Sequence, residues 1–262
     1  MTRELALITG ASSGIGAAYA QALAADHDLI LVARRVDRLA DAAEKLRASG
    51  AAVELLPADL ATLGGVSIVA DRLGAGDVRL LVNNAGAGGY GPFAEVDPSE
   101  VDRLLRLNGT APIELTRAAL PGMLAAGRGR IVNVASLLAF SAGQTGEHFP
   151  MRTLYAAAKA GTVAFTRTLA TEFTYTGVRV QVVCPGVVAT DFNRGRGQTV
   201  PFAMSAEDVV QASLAGLHLG ETVCVPGLED SAAAIEALNT AEAALLAGGN
   251  RKEPATRYRD AA

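Results

Sequence analysis

Residues 9–16 read Thr9-Gly10-Ala11-Ser12-Ser13-Gly14-Ile15-Gly16, directly after the apolar run Leu5-Ala6-Leu7-Ile8 and directly before an alanine-rich stretch. A strand that ends in glycines and reopens as a helix lets the backbone at Gly10, Ser12, Ser13, Gly14, Ile15 and Gly16 approach a pyrophosphate, whose charge is favoured at the positive end of the helix dipole. The helix is expected from Gly14 to Ala25. Leu29 to Ala33 then reads as a second strand, and Val36 to about Ser49 as a charged helix closed by Gly50. The opening unit is βαβ.

Ala52 to Leu56, Leu80 to Asn83, Arg130 to Ala135, Val178 to Cys184 and Thr222 to Val225 give five further strand candidates, seven in all, each separated from the next by a helix-compatible segment. Strand and helix in alternation build a doubly wound parallel sheet with helices on both faces, and burial on both faces explains the nearly continuous apolar character of the strands. The reading is one catalytic domain over residues 1–227. Residues 228–262 extend it, with a helix from about Asp230 to Leu246, a stop at Gly248-Gly249-Asn250 and a weakly ordered polar tail.

In such sheets ligands bind beyond the carboxyl ends of the strands, where strand order reverses. Val32-Ala33-Arg34-Arg35 ends the second strand without the carboxylate that would suit a ribose 2′-hydroxyl, whereas Arg34 and Arg35 suit a 2′-phosphate. NADP(H) is therefore preferred, with NAD(H) possible. Asn83-Asn84-Ala85-Gly86, Ser136 after Ile131-Val132-Asn133-Val134-Ala135, and Pro185-Gly186-Val187-Val188-Ala189-Thr190 each follow a strand. Taken singly they are turns and caps; their common location sets them apart. Tyr155-Ala156-Ala157-Ala158-Lys159 adds a reactive pair. Residues four apart share a helix face, and a nearby ammonium lowers a tyrosine pKa from about 10.

These strings, in this order, resemble the successive motifs of the single-domain short-chain dehydrogenase/reductase family over the stretch from about Leu5 to Gly227. The resemblance is specific for the family and silent on substrate. It implies a Rossmann-type seven-stranded sheet and hydride transfer between a nicotinamide and a carbonyl or alcohol carbon. It further implies a catalytic group of Asn108, Ser136, Tyr155 and Lys159, with Tyr155 as acid or base and Ser136 on the same substrate oxygen. Lys159 also reaches the nicotinamide ribose, and Asn108 holds a water. Asp59 and Leu60 flank the adenine, and Asn83, Ala85, Gly86, Pro185, Gly186, Val188 and Thr190 join the cofactor site. The interval from Ser136 to Tyr155 is longer than the family's usual one, so Ser141 competes on spacing. Ser136 is preferred because it directly ends the strand, and an insertion containing Gly143 to Pro150, expected over the pocket, is thermodynamically tolerable.

The formal net charge is −4 and the 23 basic residues are scattered, which leaves no positive face for a nucleic acid. No apolar run reaches the roughly 18 residues that read as a membrane span. The first residues lead into an apolar segment too short for a signal peptide, and Cys184 and Cys224 lie in separate apolar runs with neither disulfide nor metal spacing, which fits a cytoplasmic protein. No metal is expected. Leu137, Leu138, Phe140, Phe149, Val187, Phe192, Phe202 and Met204 are candidates to line an apolar pocket, with His148 a possible substrate contact. Long apolar helical segments, Ala111 to Leu124 and Leu154 to Phe173, point to a homodimer or homotetramer. The helix after Gly227 is expected either to cover the cleft or to alter one of the interfaces. An extended relative performing epimerisation or dehydration would share the tyrosine and lysine but would need a larger C-terminal substrate domain. The alternative is a non-catalytic nicotinamide-nucleotide-binding regulatory protein, which leaves Asn108, Ser136, Tyr155 and Lys159 unexplained.

Overall fold

The structure is a computed structural model that describes residues 3–146 and 149–259. His148, named above as a substrate contact, lies outside the described residues. The strands are β1 (Glu4–Thr9), β2 (His27–Ala33), β3 (Val53–Pro57), β4 (Val78–Asn83), β5 (Gly129–Val134), β6 (Val178–Val183) and β7 (Val223–Cys224). They form one parallel sheet in the order β3-β2-β1-β4-β5-β6-β7. Strand order reverses between β1 and β4, which sets the crevice beyond Thr9 and Asn83.

Alternating residues of β1 divide the core. Ala6 and Ile8 pack on one face with Tyr19 and Leu23 of α1 (Gly14–Leu23), Leu39 of α2 (Val36–Arg47) and Val209 of α8 (Ala206–Leu219). Leu7 packs on the other with Val66 and Val69 of α3 (Leu63–Leu73), Leu115 and Met123 of α5 (Ala111–Ala125) and Leu169 of α6 (Thr153–Glu172). This is the period of two expected of a strand covered on both sides. Each large aliphatic side chain so buried stabilises the fold by about 1.5–3 kcal/mol. Tyr19 is wholly buried, and its hydroxyl is satisfied by Ser213 Oγ at 2.5 Å, which donates onward to Gln181 Oε1 at 2.8 Å.

Between α4 (Pro98–Leu105) and α5 the chain makes a π-helical turn, Arg106–Thr110, that carries Asn108. A short helix α7, Phe192–Gly195, follows β6. The chain divides into two compact units, up to Gly227 and from Leu228. The second holds α9 (Ser231–Gly249), capped by Asp230 accepting from Ala233 N–H at 3.0 Å, and α10 (Thr256–Arg259), where Arg259 pairs with Glu253 at 2.6 Å. Helix α9 therefore runs three residues past the expected Leu246 and ends at Gly249, and the polar tail forms a helical turn. Among the described residues no helix is long and apolar enough to cross a membrane, and no cluster of ligating side chains could hold a metal.

Candidate active site

The glycine-rich turn is built so tightly that it admits no side chain at the third position of α1. A Cβ on Gly16 would stand 2.3 Å from the Gly10 carbonyl oxygen. Asn84 fastens the turn from β4, its Nδ2 donating to the Thr9 oxygen at 2.9 Å, while Thr9 Oγ1 accepts from the N–H groups of Asn84 and Ala85. Ser13 is the N-cap of α1 in extended conformation and makes no side-chain cap bond. The opening N–H groups of the helix are thus left for another acceptor. Arg34 and Arg35 stand exposed beside the turn, with Arg35 Nη2 3.5 Å from Ser12 Oγ. A cradle of backbone donors with two guanidiniums at its rim fits a phosphorylated dinucleotide. Thr190 closes against Gly14 from the segment after β6, 3.2 Å from where a Cβ would lie, and Gly186 lies against Leu137.

Two members of the expected set turn inward. Asn83 is buried, its Nδ2 donating to Asn133 Oδ1 at 2.9 Å, Thr116 Oγ1 at 3.1 Å and the Pro112 oxygen at 3.2 Å. Leu60 packs in the core with Val66 and Val69. The side chain of Asp59 is engaged locally, accepting from Ala61 N–H at 3.0 Å.

The reactive residues converge from three elements. Tyr155 and Lys159 occupy one face of α6, Ser136 follows β5, and Asn108 comes from the π turn. A Cβ on Gly86 would fall 2.8 Å from Asn108 Oδ1 and 3.6 Å from Lys159 Nζ, so the loop after β4 lies directly against both. The Asn108 amide is engaged with backbone: Oδ1 accepts from Ala87 N–H at 3.1 Å, and Nδ2 donates to the Ala87 and Leu104 oxygens. Ser136 acts on the Tyr155 phenol, favouring its charged form, and its Oγ accepts from Leu138 N–H at 3.2 Å. Ser141 is occupied elsewhere, its Oγ accepting from Arg152 Nε at 2.6 Å and donating to the Leu138 oxygen at 2.7 Å. Arg152 also binds the Ser141, Gln144 and Pro150 carbonyls and lies 4.3 Å from the Phe149 ring centre, so one guanidinium gathers the inserted stretch.

Lys159 is fully buried and its Nζ donates to the Val134 oxygen at 2.8 Å. Burial pulls its pKa from 10.5 down to about 8, with the Cys184 thiol acting the other way. Burial also drives the Tyr155 phenol above its ordinary value, followed by the influence of Tyr90, with Ser136 opposing. The helix spacing of Tyr155 and Lys159 predicts a lowered phenol pKa; the shift runs upward instead. The reason is desolvation of both groups, with the ammonium 5.8 Å from the ring centre. Tyr90, which the sequence reading passed over, sits with its ring centre 5.3 Å from that of Tyr155, and Phe192 lies 6.0 Å away. Of the expected pocket residues, Phe192 is exposed beside Tyr155, Leu137 and Val187 are exposed, Phe202 is 80% exposed and Met204 packs against the core.

Comparison with known proteins agrees with this arrangement. The family described as short chain dehydrogenase matches residues 4–201. A short-chain dehydrogenase from Sphingobium yanoikuyae, solved in complex with NADPH, superimposes with a TM-score of 0.90 at 36% identity, over 97% of this chain and 99% of that one. The bulky-bulky ketone specific alcohol dehydrogenase of Comamonas testosteroni gives a TM-score of 0.88 at 33% identity, over 98% and 99% of the two chains. A ketoacyl reductase of Nostoc sp. is 34% identical over 226 residues, 85% of this chain and 73% of the relative. The chain belongs to the short-chain dehydrogenase/reductase family. It is an oxidoreductase of the kind that acts on CH–OH and carbonyl groups.

Proposed function

We propose that this protein is an NADP(H)-dependent reductase or dehydrogenase for an apolar ketone, aldehyde or secondary alcohol, with Tyr155 as general acid and base. The observation that carries the reading is the meeting of buried Tyr155 and Lys159 on one face of α6 with Ser136 after β5, beyond the strand ends that hold the glycine-rich turn. The bound nicotinamide supplies the hydride chemistry. The chain's own residues do the rest. Tyr155 delivers its proton to the developing alkoxide while Ser136 donates to the same oxygen, and Lys159 and Asn108 hold the surrounding backbone.

The phosphate of NADP is favoured by Arg34 and Arg35 and by the lack of a carboxylate at the end of β2. A relative from Sphingobium yanoikuyae solved with NADPH, and an alcohol dehydrogenase of Thermococcus sibiricus solved with 5-hydroxy-NADP, support this choice. The aromatic and aliphatic side chains about Tyr155, with the ketone-specific relative, support an apolar substrate. A purely regulatory nucleotide-binding role is not favoured, since it gives the meeting of Ser136, Tyr155 and buried Lys159 no task. We further propose a cytoplasmic homo-oligomer, consistent with two free buried cysteines and with Ile113 and Leu124 exposed on α5. The test is nicotinamide absorbance with a panel of carbonyl compounds and alcohols and both cofactors. Failure of every substrate class, with nucleotide still bound, would overturn the enzymatic reading.

A further inference from the structure

Arg152 stands at the N-cap of α6, one turn ahead of Tyr155. On local grounds the position is a poor one for arginine, because helix entries favour short side chains that accept a backbone N–H, and the helix dipole disfavours positive charge there. The guanidinium is bonded elsewhere. Nε donates to Ser141 Oγ at 2.6 Å and Nη2 to the Ser141 oxygen at 2.9 Å, so it grips both oxygens of one buried residue. Ser141 closes the 3₁₀ turn Leu137–Phe140, and Ser136 opens it. Across that turn Ser141 Oγ donates to the Leu138 oxygen at 2.7 Å, while Leu138 N–H donates to Ser136 Oγ at 3.2 Å. Three hydrogen bonds therefore lead from Arg152 to Ser136. A single turn of helix leads from it to Tyr155, closed by Ala156 N–H on the Arg152 oxygen at 2.7 Å.

We propose that Arg152 is a positioning residue that sets the distance between the turn carrying Ser136 and the helix carrying Tyr155. The inference rests on the proposed action of those two residues on one substrate oxygen. Ser141 and Arg152 are 11 positions apart, a length of chain that reaches up to roughly 36 Å, so the covalent connection does not fix that distance. The guanidinium does. It also takes the Gln144 and Pro150 oxygens, at 2.9 and 3.1 Å, and lies against the Phe149 ring, which ties the connecting segment to the same centre. On the other flank the Met151 oxygen accepts from Gly91 N–H at 3.0 Å. A planar fork with five N–H donors serves these oxygens together, as an ammonium does not. Ser136 Oγ accepts from Leu138 N–H and keeps its own proton to donate, so the restraint orients the hydroxyl without consuming it. Two groups that must meet one oxygen are sensitive to such a restraint, since a misplacement of about 1 Å can cost on the order of 100-fold in rate.

Arg152→Met keeps an unbranched stem and removes the donors. The kcat for carbonyl reduction is expected to fall roughly 10-fold, with the cofactor KM unchanged, because the glycine-rich turn and Arg34 follow other strands. A cycle with Ser136→Ala separates positioning from a general weakening of the fold. Once the serine hydroxyl is gone, Arg152→Met should lower kcat by less than about twofold more. Arg152→Lys, which lacks the fork, should show the same pattern and serves if Arg152→Met does not fold. Equal losses with and without the Ser136 hydroxyl, or a normal kcat in folded Arg152→Met, overturn the proposal. A normal kcat in Ser136→Ala alone would instead overturn the catalytic reading on which it rests. Amide hydrogen exchange on the full chain needs no turnover. The Leu138 and Ser141 N–H groups should exchange faster in Arg152→Met, while those of β5 keep their protection. Unchanged exchange at Leu138 and Ser141 refutes the restraint, whether or not any substrate is turned over.

Discussion

Lys159→Met tests whether the buried ammonium costs the fold stability. The side chain is wholly enclosed, and its pKa falls from 10.5 to about 8, a difference worth about 3 kcal/mol at 1.36 kcal/mol per pKa unit. The folded protein releases this proton more readily than the unfolded chain, so the unfolded chain binds more protons between those values. Stability therefore rises with pH across that window, and the full penalty is present below it. Lys159→Met has no such penalty but also loses the bond to the Val134 oxygen, which sets a constant offset. The stability of the variant minus that of the unaltered protein should fall by about 2–3 kcal/mol from about pH 7 to about pH 10. The thiols of Cys184 and Cys224, raised by burial, ionise first in the unfolded chain and so lower stability toward the top of this window, but both proteins carry them and their contribution cancels in the difference. The chain has no tryptophan, so urea unfolding is best followed by far-ultraviolet circular dichroism. A flat difference curve would show that Lys159 is solvated and would remove the desolvation argument altogether.

Tyr155→Phe should abolish turnover while leaving cofactor affinity nearly unchanged, since the ring still packs between Tyr90 and Phe192; near-normal rates would end its assignment as the acid. Ser136→Ala should lower kcat on the order of 100-fold, whereas Ser141→Ala should chiefly loosen the Arg152 clamp and lower the melting temperature; the reverse pattern would make Ser141 the substrate-binding serine. Arg34→Asp should weaken NADPH and favour NADH, read as kcat/KM for both cofactors, and an enzyme that prefers NADH from the outset contradicts the phosphate reading. Light scattering on the full chain should give a dimer or tetramer, and a monomer at micromolar concentration rejects it.

What could be read before the structure follows the physics of each signal. Strand ends were legible because a strand buried on both faces is a continuous apolar run with abrupt borders: β1 differs from its expected range by one residue, and β6 likewise. The site was legible as a place because Thr9 and Asn83 close their strands and Ser136 and Pro185 fall just past such borders. Direction of side chains was not, and Asn83 faces the interior in a hydrogen-bond network with Asn133 and Thr116 that no spacing foretells. The titration of Tyr155 was misjudged for a related reason. Spacing on a helix gives proximity, while burial depends on everything packed around the pair. Tyr90 escaped notice because an aromatic residue in a glycine-rich loop carries no periodicity, and only the Gly91 to Met151 bond brings it to Tyr155.

The π turn at Arg106–Thr110 has a consequence for how this chain can change by descent. A π turn holds one residue more than an α-helix needs over the same stretch. Deleting any one residue there would restore a regular helix at small local cost. It would also rotate one side of the junction by about 100° relative to the other. Asn108 would lose the Ala87 backbone, or α5 would turn Leu115 and Met123 out of the core. Length drift, which loops accept freely, is therefore barred at this point even where substitution is tolerated, and the extra residue is heritable only together with the asparagine it presents.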